Sequence, residues 1–226
     1  AQVRAGVHQD RATPDATHGD PWPFDPGQPG GAQRSGNGGE GNTTHLNVVD
    51  KDGNTVSLTS TLGALFGSAV VIRGTGIVLN NGTMWFDPRP GAVTSIGPNK
   101  RILSAASPLL LMRDGKPLAA LGSPGGRRVI SAVYQMIVNL VDFNRGMQGA
   151  ISAPRLHSEG PGTDISSRFP EETLRELERL GHQLAVHEES LSNSFFARPS
   201  GILIDQQTGE LRGGVHQYTP ATAVGI

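Results

Sequence analysis

Cysteine is absent from all 226 residues, which excludes a disulfide framework and a thiolate nucleophile and leaves the redox compartment open. Charge of either sign is also lacking in excess. The formal net charge is -1, so nothing draws the chain toward nucleic acid or an anionic membrane. No apolar run approaches the ~20 residues needed to span a bilayer. The chain opens with neither a Met nor a basic-then-apolar segment, so targeting information is expected to be absent from it or removed. Histidine occurs seven times, at 8, 18, 45, 157, 182, 187 and 216. None falls in an H-E-x-x-H motif or a tight i, i+4 helical pair, so no metal site is expected. Asp50-Lys51-Asp52-Gly53-Asn54 resembles the start of a calcium loop, but its Gly comes two positions early and no Glu closes it. A hairpin turn is the better reading. No cofactor-binding fingerprint is present either.

What is present is length enough for one sizeable core, with a hydrophobic fraction of 36%. Residues 1–42 differ in composition from the rest. Pro21, Pro23 and Pro26 interrupt any helix, and 27–41 is mostly Gly with Ser, Asn and Gln, a flexible-linker composition. From Thr44 the pattern changes. Leu46 and Val48, then Val56 and Leu58, alternate with polar residues around the Asp-Gly-Asn turn and predict a β-hairpin. Short strands are expected at 69–72 and 76–79. A second hairpin is expected from 109–112 and 118–121, nearly continuous in apolar residues and so expected to be covered on both faces. Residues 128–143 carry Val129, Val133, Met136, Ile137, Leu140 and Val141 on one broad helical face. A second helix is expected to start at Pro170, with Glu171 and Glu172 in its first turn, and to stop at Gly181. The tail returns to strands at 194–197, 201–204 and 211–213. The sum is an α/β (α+β) chain with antiparallel hairpins and helices on their faces.

Two features point to chemistry. Asn42-Thr43-Thr44-His45 lies where the Gly-rich segment meets the first core strand. A threonine hydroxyl needs a base to become a nucleophile, and a threonine at a new chain end carries one in its own α-amine, whose ordinary pKa is about 7.7–8.0. Cleavage of the Asn42–Thr43 bond creates that pair. The second feature is Gly122-Ser123-Pro124-Gly125-Gly126-Arg127-Arg128, between a buried strand and a helix start. Glycines there let backbone N–H groups face a developing oxyanion. The loop lacks the G-K-[ST] ending of a phosphate loop. Each feature alone has an ordinary structural reading, a strand start or a strand-to-helix turn.

Together they form a wider pattern. Thr43-Thr44-His45-x-x-Val48-Val49-Asp50-x-Asp52-Gly53-Asn54 resembles the small-subunit start of γ-glutamyltransferases. Thr59-Ser60-Thr61-Leu62, Phe66-Gly67-Ser68, Gly76-Ile77-Val78-Leu79-Asn80-Asn81, Gly97-Pro98-Asn99-Lys100-Arg101, Gly122-Ser123-Pro124-Gly125-Gly126 and Ala153-Pro154-Arg155-x-His157 follow in that family's order. The resemblance covers 43–226, and Arg4-Ala5 with Arg11-Ala12-Thr13-Pro14 looks like the tail of the family's large subunit. It implies two parts, a large-subunit tail and flexible linker over 1–42 and the small catalytic subunit over 43–226. The implied fold is the four-layer αββα sandwich of N-terminal-nucleophile hydrolases, with this chain supplying the half that bears the nucleophile. The precursor is expected to cut itself before Thr43 and to remain a heterodimer with the large subunit. The implied reaction forms an acyl-enzyme on Thr43 from a small amide substrate, nominally a γ-glutamyl compound such as glutathione, and passes the acyl group to water or an amine. Thr61 matches the threonine that hydrogen-bonds the nucleophile. Gly125 and Gly126 match the oxyanion-hole glycines, and Ser104 matches one of two serines that hold the substrate carboxylate. With 1–42 still attached, Thr43 carries an amide nitrogen rather than an amine.

Four positions depart from the family pattern. An Asn is replaced by Gly63, a Gln by Gly82, an Asp by Trp85 and the second serine by Ala105. A hydrogen bond to a charged group contributes roughly 1.5–3 kcal/mol, so losing three or four of them weakens a zwitterionic ligand by about 5 kcal/mol or more. The stretch 80–91 instead looks like the γ-glutamyltransferase-like or cephalosporin-acylase-like branch, with Trp85 and Met84 lining a more apolar acyl pocket. Three readings therefore stand side by side: a γ-glutamyl enzyme, an amidase for another acyl group such as glutaryl, and an inert homologue that keeps only the fold.

Overall fold

The computed structural model describes residues 42–160, 162–191, 193 and 195–225. The tail and linker expected over 1–42 lie outside the described residues, except for Asn42, which opens the first strand. The fold is mixed α/β. The strands are β1 (Asn42–Val49), β2 (Thr55–Gly63), β3 (Leu109–Arg113), β4 (Lys116–Gly122), β5 (Leu156–Ser158), β6 (Gly162–Ser166), β7 (Gln183–His187), β8 (Ser200–Ile204) and β9 (Leu211–Val215). The helices are α1 (Arg128–Val141), α2 (Met147–Ser152) and α3 (Glu171–Arg179), with a 3-10 turn at Gly82–Trp85. By packing, the described residues fall into two units, one of Asn42 with Leu62–Ser104 and the other of Thr43–Thr61 with the described residues from Ala105 onward.

In the second unit β3-β4-β8-β9 form a four-stranded sheet with every pairing antiparallel. The core lies between this sheet and helices α1 and α2. Ala119 and Leu121 from β4 meet Val129, Val133, Met136 and Leu140 from α1 and Met147, Ala150 and Ile151 from α2. The apolar period of α1 places these residues on one face, as its sequence predicts. Val141 departs from that expectation at 52% exposed, because the helix ends there. α2 was not signalled by periodicity. It is six residues long and lies close on the sheet at two glycines. A Cβ on Gly201 would stand 2.6 Å from Met147 Sδ, and one on Gly214 would stand 2.9 Å from Ile151 Cδ1. A smaller sheet, β5-β6-β7, pairs β6 and β7 in parallel across α3, the crossover such pairing requires. Its strands are short and were not anticipated.

Three sequence expectations are corrected. The 109–121 hairpin is not covered on both faces: β4 is, with Ala119, Ala120 and Leu121 at 0% exposure, but β3 is an edge strand whose Leu110 and Met112 are exposed. The stretches 69–72 and 76–79 meet only through the Val71–Val78 bridge. Left-handed residues at Gly67, Ala69, Gly74 and Gly76 break the extended run around a tight turn. The strand expected at 194–197 is absent over its described part. Phe195 and Phe196 form a turn, and Ala197 is left-handed, with φ 65°.

Candidate active site

β1 and β2 form the expected hairpin. At its turn the Asp50 carboxylate accepts hydrogen bonds from the N–H groups of Asp52 and Asn54, at 2.9 and 2.8 Å, which is an Asx-type turn rather than a cation loop. Among the described residues no cluster of three metal-ligating side chains occurs. Period-two alternation then sorts the side chains of the hairpin. Thr43, His45, Asn47, Ser57, Thr59 and Thr61 are half-buried, whereas Leu46, Val48, Val56 and Leu58 are exposed. The polar row faces the four-stranded sheet and bonds to it. Ser57 Oγ donates to the Leu121 carbonyl at 3.1 Å and accepts from the Leu109 N–H at 3.2 Å. Asn47 Nδ2 donates to the Ser200 carbonyl at 3.2 Å.

At the start of this row the Thr43 and Thr61 hydroxyls are 2.9 Å apart. The two residues stand 18 positions apart in sequence, and the hairpin brings them together. Next along the same face, His45 Nδ1 lies 2.8 Å from Thr59 Oγ1, and its Nε2 lies 3.1 Å from Asn47 Oδ1. Burial pushes the His45 imidazole below its ordinary pKa, against the smaller upward pull of the Asn47 bond. Neither His45 nor Asn47 has a role assigned from the sequence. The signal was there: Thr43, His45 and Asn47 are polar at every second position of a strand whose other face is apolar.

The Gly122–Arg128 loop joins β4 to α1, as the sequence reading expects. Ser123 is fully buried. Its Oγ donates to the Pro124 carbonyl at 2.6 Å and accepts from the Arg198 N–H at 3.0 Å. Gly125 and Gly126 have φ values of 143° and 60°, both in the region that favours glycine. A Cβ on Gly125 would stand 2.4 Å from the Ala197 Cβ. Among the described residues, neither the Gly125 nor the Gly126 N–H donates a hydrogen bond.

Trp85 and Ser104 belong to the other unit. Trp85 closes the 3-10 turn and is half-buried, and Ser104 is exposed. Of the two glycines among the departing positions, Gly63 has a backbone reason, a left-handed φ, and Gly82 does not. A Cβ on Gly63, whose φ is +84°, would stand 2.1 Å from Asn81 Oδ1, an atom that already accepts from the Ala64 N–H at 2.8 Å. A Cβ on Gly82 would lie 3.5 Å from Trp85 Cζ3 and 3.6 Å from Ile102 Cδ1. Asn81 thus occupies the space beside residue 63, and the Trp85 ring lies over residue 82.

The Gamma-glutamyltranspeptidase family model matches residues 1–223. The chain belongs to the γ-glutamyltranspeptidase family. It is 33% identical over 227 residues to a glutathione hydrolase proenzyme from Bacillus subtilis subsp. natto, an alignment covering 97% of this chain and 37% of that protein. The chain therefore spans well under half the length of this family relative. Its fold superposes on a tryptophan-to-aspartate mutant of γ-glutamyltranspeptidase from Pseudomonas nitroreducens, described as highly active. That match has a TM-score of 0.68 and 28% identity and covers 81% of this chain and 98% of that one. It also superposes on cephalosporin acylase from Bacillus halodurans, with a TM-score of 0.71 and 30% identity over 77% of this chain and 32% of that one. The mixed α/β fold of this chain thus matches solved family structures over most of its length. No described helix is long and apolar enough to cross a membrane.

Proposed function

We propose that the chain is the nucleophile-bearing part of a self-processing amide hydrolase and acyltransferase, with Thr43 as both the processing residue and the catalytic nucleophile. The observation that carries this reading is the Thr43–Thr61 hydroxyl pair at the start of β1. In processing, Thr43 Oγ attacks the Asn42 carbonyl carbon. The C–N bond breaks, and an ester joins Asn42 to the Thr43 oxygen. Water then hydrolyses the ester, leaving a carboxylate on Asn42 and an α-amine on Thr43. In turnover that amine takes the hydroxyl proton while Oγ attacks the substrate amide. The proton passes to the leaving amine, and an acyl-enzyme remains for water or a second amine to resolve. Thr61 holds the Thr43 oxygen in place, and the Gly125 and Gly126 N–H groups stabilise the tetrahedral oxyanion.

Assembly belongs to the same reading. The exposed rows of the β1–β2 hairpin and of β3 support pairing with a large subunit from the same precursor, completing the four-layer αββα sandwich. In such an assembly 1–42 is the large-subunit tail and linker, and 43–226 is the small subunit.

For the acyl group, a γ-glutamyl donor and one of the glutaryl type both stand: the family resemblance supports the first, and the replacement of four polar anchors by Gly63, Gly82, Trp85 and Ala105 supports the second. Trp85 and Ser104 are the substrate-binding residues of this reading. The deciding experiment is a mass spectrum of the full precursor, followed by turnover of a γ-glutamyl anilide and a glutaryl amide. Two fragments meeting at Asn42/Thr43 are expected, and both the cut and the turnover are lost in Thr43→Ala and partly kept in Thr43→Ser. A stable uncut chain, or activity in Thr43→Ala, overturns the proposal.

A further inference from the structure

We infer that His45 is a positioning residue: a neutral imidazole protonated at Nε2 that ties the strand carrying Thr43 to β2 on one side and, through Asn47, to β8 on the other. The consequence for catalysis rests on the Thr43 reading above. The proton on Nε2 is assigned by hydrogen-bond direction, and the ring's surroundings give its neutral charge. Asn47 presents its Nδ2 to two oxygens, the Ser200 carbonyl at 3.2 Å and Ser200 Oγ at 3.4 Å. Its carbonyl end therefore faces His45, and an acceptor 3.1 Å from Nε2 requires a hydrogen on that nitrogen. Nδ1 is then the bare nitrogen and accepts from the Thr59 hydroxyl at 2.8 Å. Among the described residues no carboxylate bonds the ring, and its burial disfavours the imidazolium.

Geometry makes this chain of bonds a strut. The imidazole lies against the backbone of Gly122, where a Cβ would come within 2.7 Å of three ring atoms, so the ring has no room to swing toward β4. His45 and Thr43 share one face of β1, one strand repeat or about 6.8 Å apart. Displacement of the first shifts the second relative to Thr61, whose hydroxyl is 2.9 Å away. A misplaced nucleophile loses rate, not substrate affinity.

The test uses the full precursor with two substitutions that separate bonding from shape. His45→Gln keeps one acceptor and one donor, whereas His45→Phe keeps a ring of similar size and loses both bonds. The readouts are the rate of the Asn42/Thr43 cut, kcat and KM on an anilide substrate, and a long-range 1H–15N spectrum of protein labelled at histidine. Expected are an Nε2–H signature for His45, cut and kcat within about threefold of wild type in His45→Gln, and about tenfold losses of both in His45→Phe with KM little changed. An imidazolium or Nδ1–H signature overturns the inference, and so does a His45→Phe variant as fast as His45→Gln. If the wild-type protein shows neither cut nor turnover, the hydrolase reading fails. The nitrogen spectrum then still decides the strut, and it depends on no variant folding.

Discussion

The His45 imidazole and any side chain at residue 122 claim the same space. A Cβ on Gly122 would stand 2.2 Å from Cε1, 2.6 Å from Nε2 and 2.7 Å from Nδ1 of the ring. Gly122 ends β4 as a buried residue, and its backbone needs no left-handed conformation. The substitution Gly122→Ala therefore acts through overpacking alone. It is expected to destabilise the protein by about 1–3 kcal/mol, read from the urea midpoint at unchanged slope. Because relief comes most easily by moving His45, the Asn42/Thr43 cut is expected to slow in the same variant.

The Thr43–Thr61 pair gives a second prediction, aimed at the hydroxyl rather than the shape. Valine matches threonine in outline but offers no hydrogen bond. In Thr61→Val the Thr43 oxygen loses its 2.9 Å partner, and kcat is expected to fall about tenfold, the equivalent of one ordinary hydrogen bond. Chain cleavage is expected to slow in parallel. A cut rate and kcat equal to wild type would remove Thr61 from the site.

Much of this was legible in the sequence, and the reasons differ by element. The turn at Asp50–Asn54 and the face of α1 follow from local rules, an Asx turn and a 3.6-residue period, and both stand in the structure. The Thr43–Thr61 contact was legible only through resemblance, since nothing in the spacing of two threonines predicts that their hydroxyls meet. α2 and β5–β7 were missed because they are short and owe their form to tertiary contacts, α2 to its approach to Gly201 and Gly214. The strands expected at 69–72 and 76–79 failed because left-handed backbone at Ala69 and the flanking glycines outweighs β-branched composition. Thr59 in β2 and Gly122 in β4, which meet the His45 ring, and Ser200 in β8, which meets Asn47, are named by no pattern within β1.

Buried charge supplies a third prediction. Arg155 and Glu189 are buried side chains 3.5 Å apart. Arg168 lies 3.0 Å and His216 3.4 Å from the same carboxylate. Burial alone would raise the Glu189 pKa, but the nearby His216 ring, the Arg155 charge and the hydrogen bond from Arg168 outweigh it and hold the carboxyl below its usual range. Burial pushes Arg155 down to about 10, with Glu189 opposing and Arg168 adding to the shift. Arg155 therefore stays charged at neutral pH. Glu189→Gln leaves that charge buried without its carboxylate and is expected to cost about 3–5 kcal/mol near pH 7. The sign with pH follows from the depressed glutamate. Its contribution is present above the unfolded pKa of about 4.3 and is lost as pH falls through the lower folded value. Urea unfolding of wild type and variant at neutral and acid pH should show the gap between them closing on the acid side.

Trp85 gives the prediction closest to substrate choice. It lies over Gly82, 3.5 Å from where a Cβ would stand, and beside it Asn81 occupies the space of any side chain at residue 63. The surroundings of these positions differ, so restoring one polar anchor has unequal effects. Gly63→Asn is expected to be the costlier change, since it strains a backbone φ of +84° and must displace the Asn81 side chain. Trp85→Asp removes bulk rather than adding it, and it places a carboxylate where the family pattern carries one. A hydrogen bond to a charged group contributes about 1.5–3 kcal/mol, so kcat/KM for a γ-glutamyl anilide relative to a glutaryl amide should rise about 10- to 100-fold. The ratio is the informative quantity, because loss of the indole can lower both rates together. An unchanged ratio would show that Trp85 has no part in acyl selection.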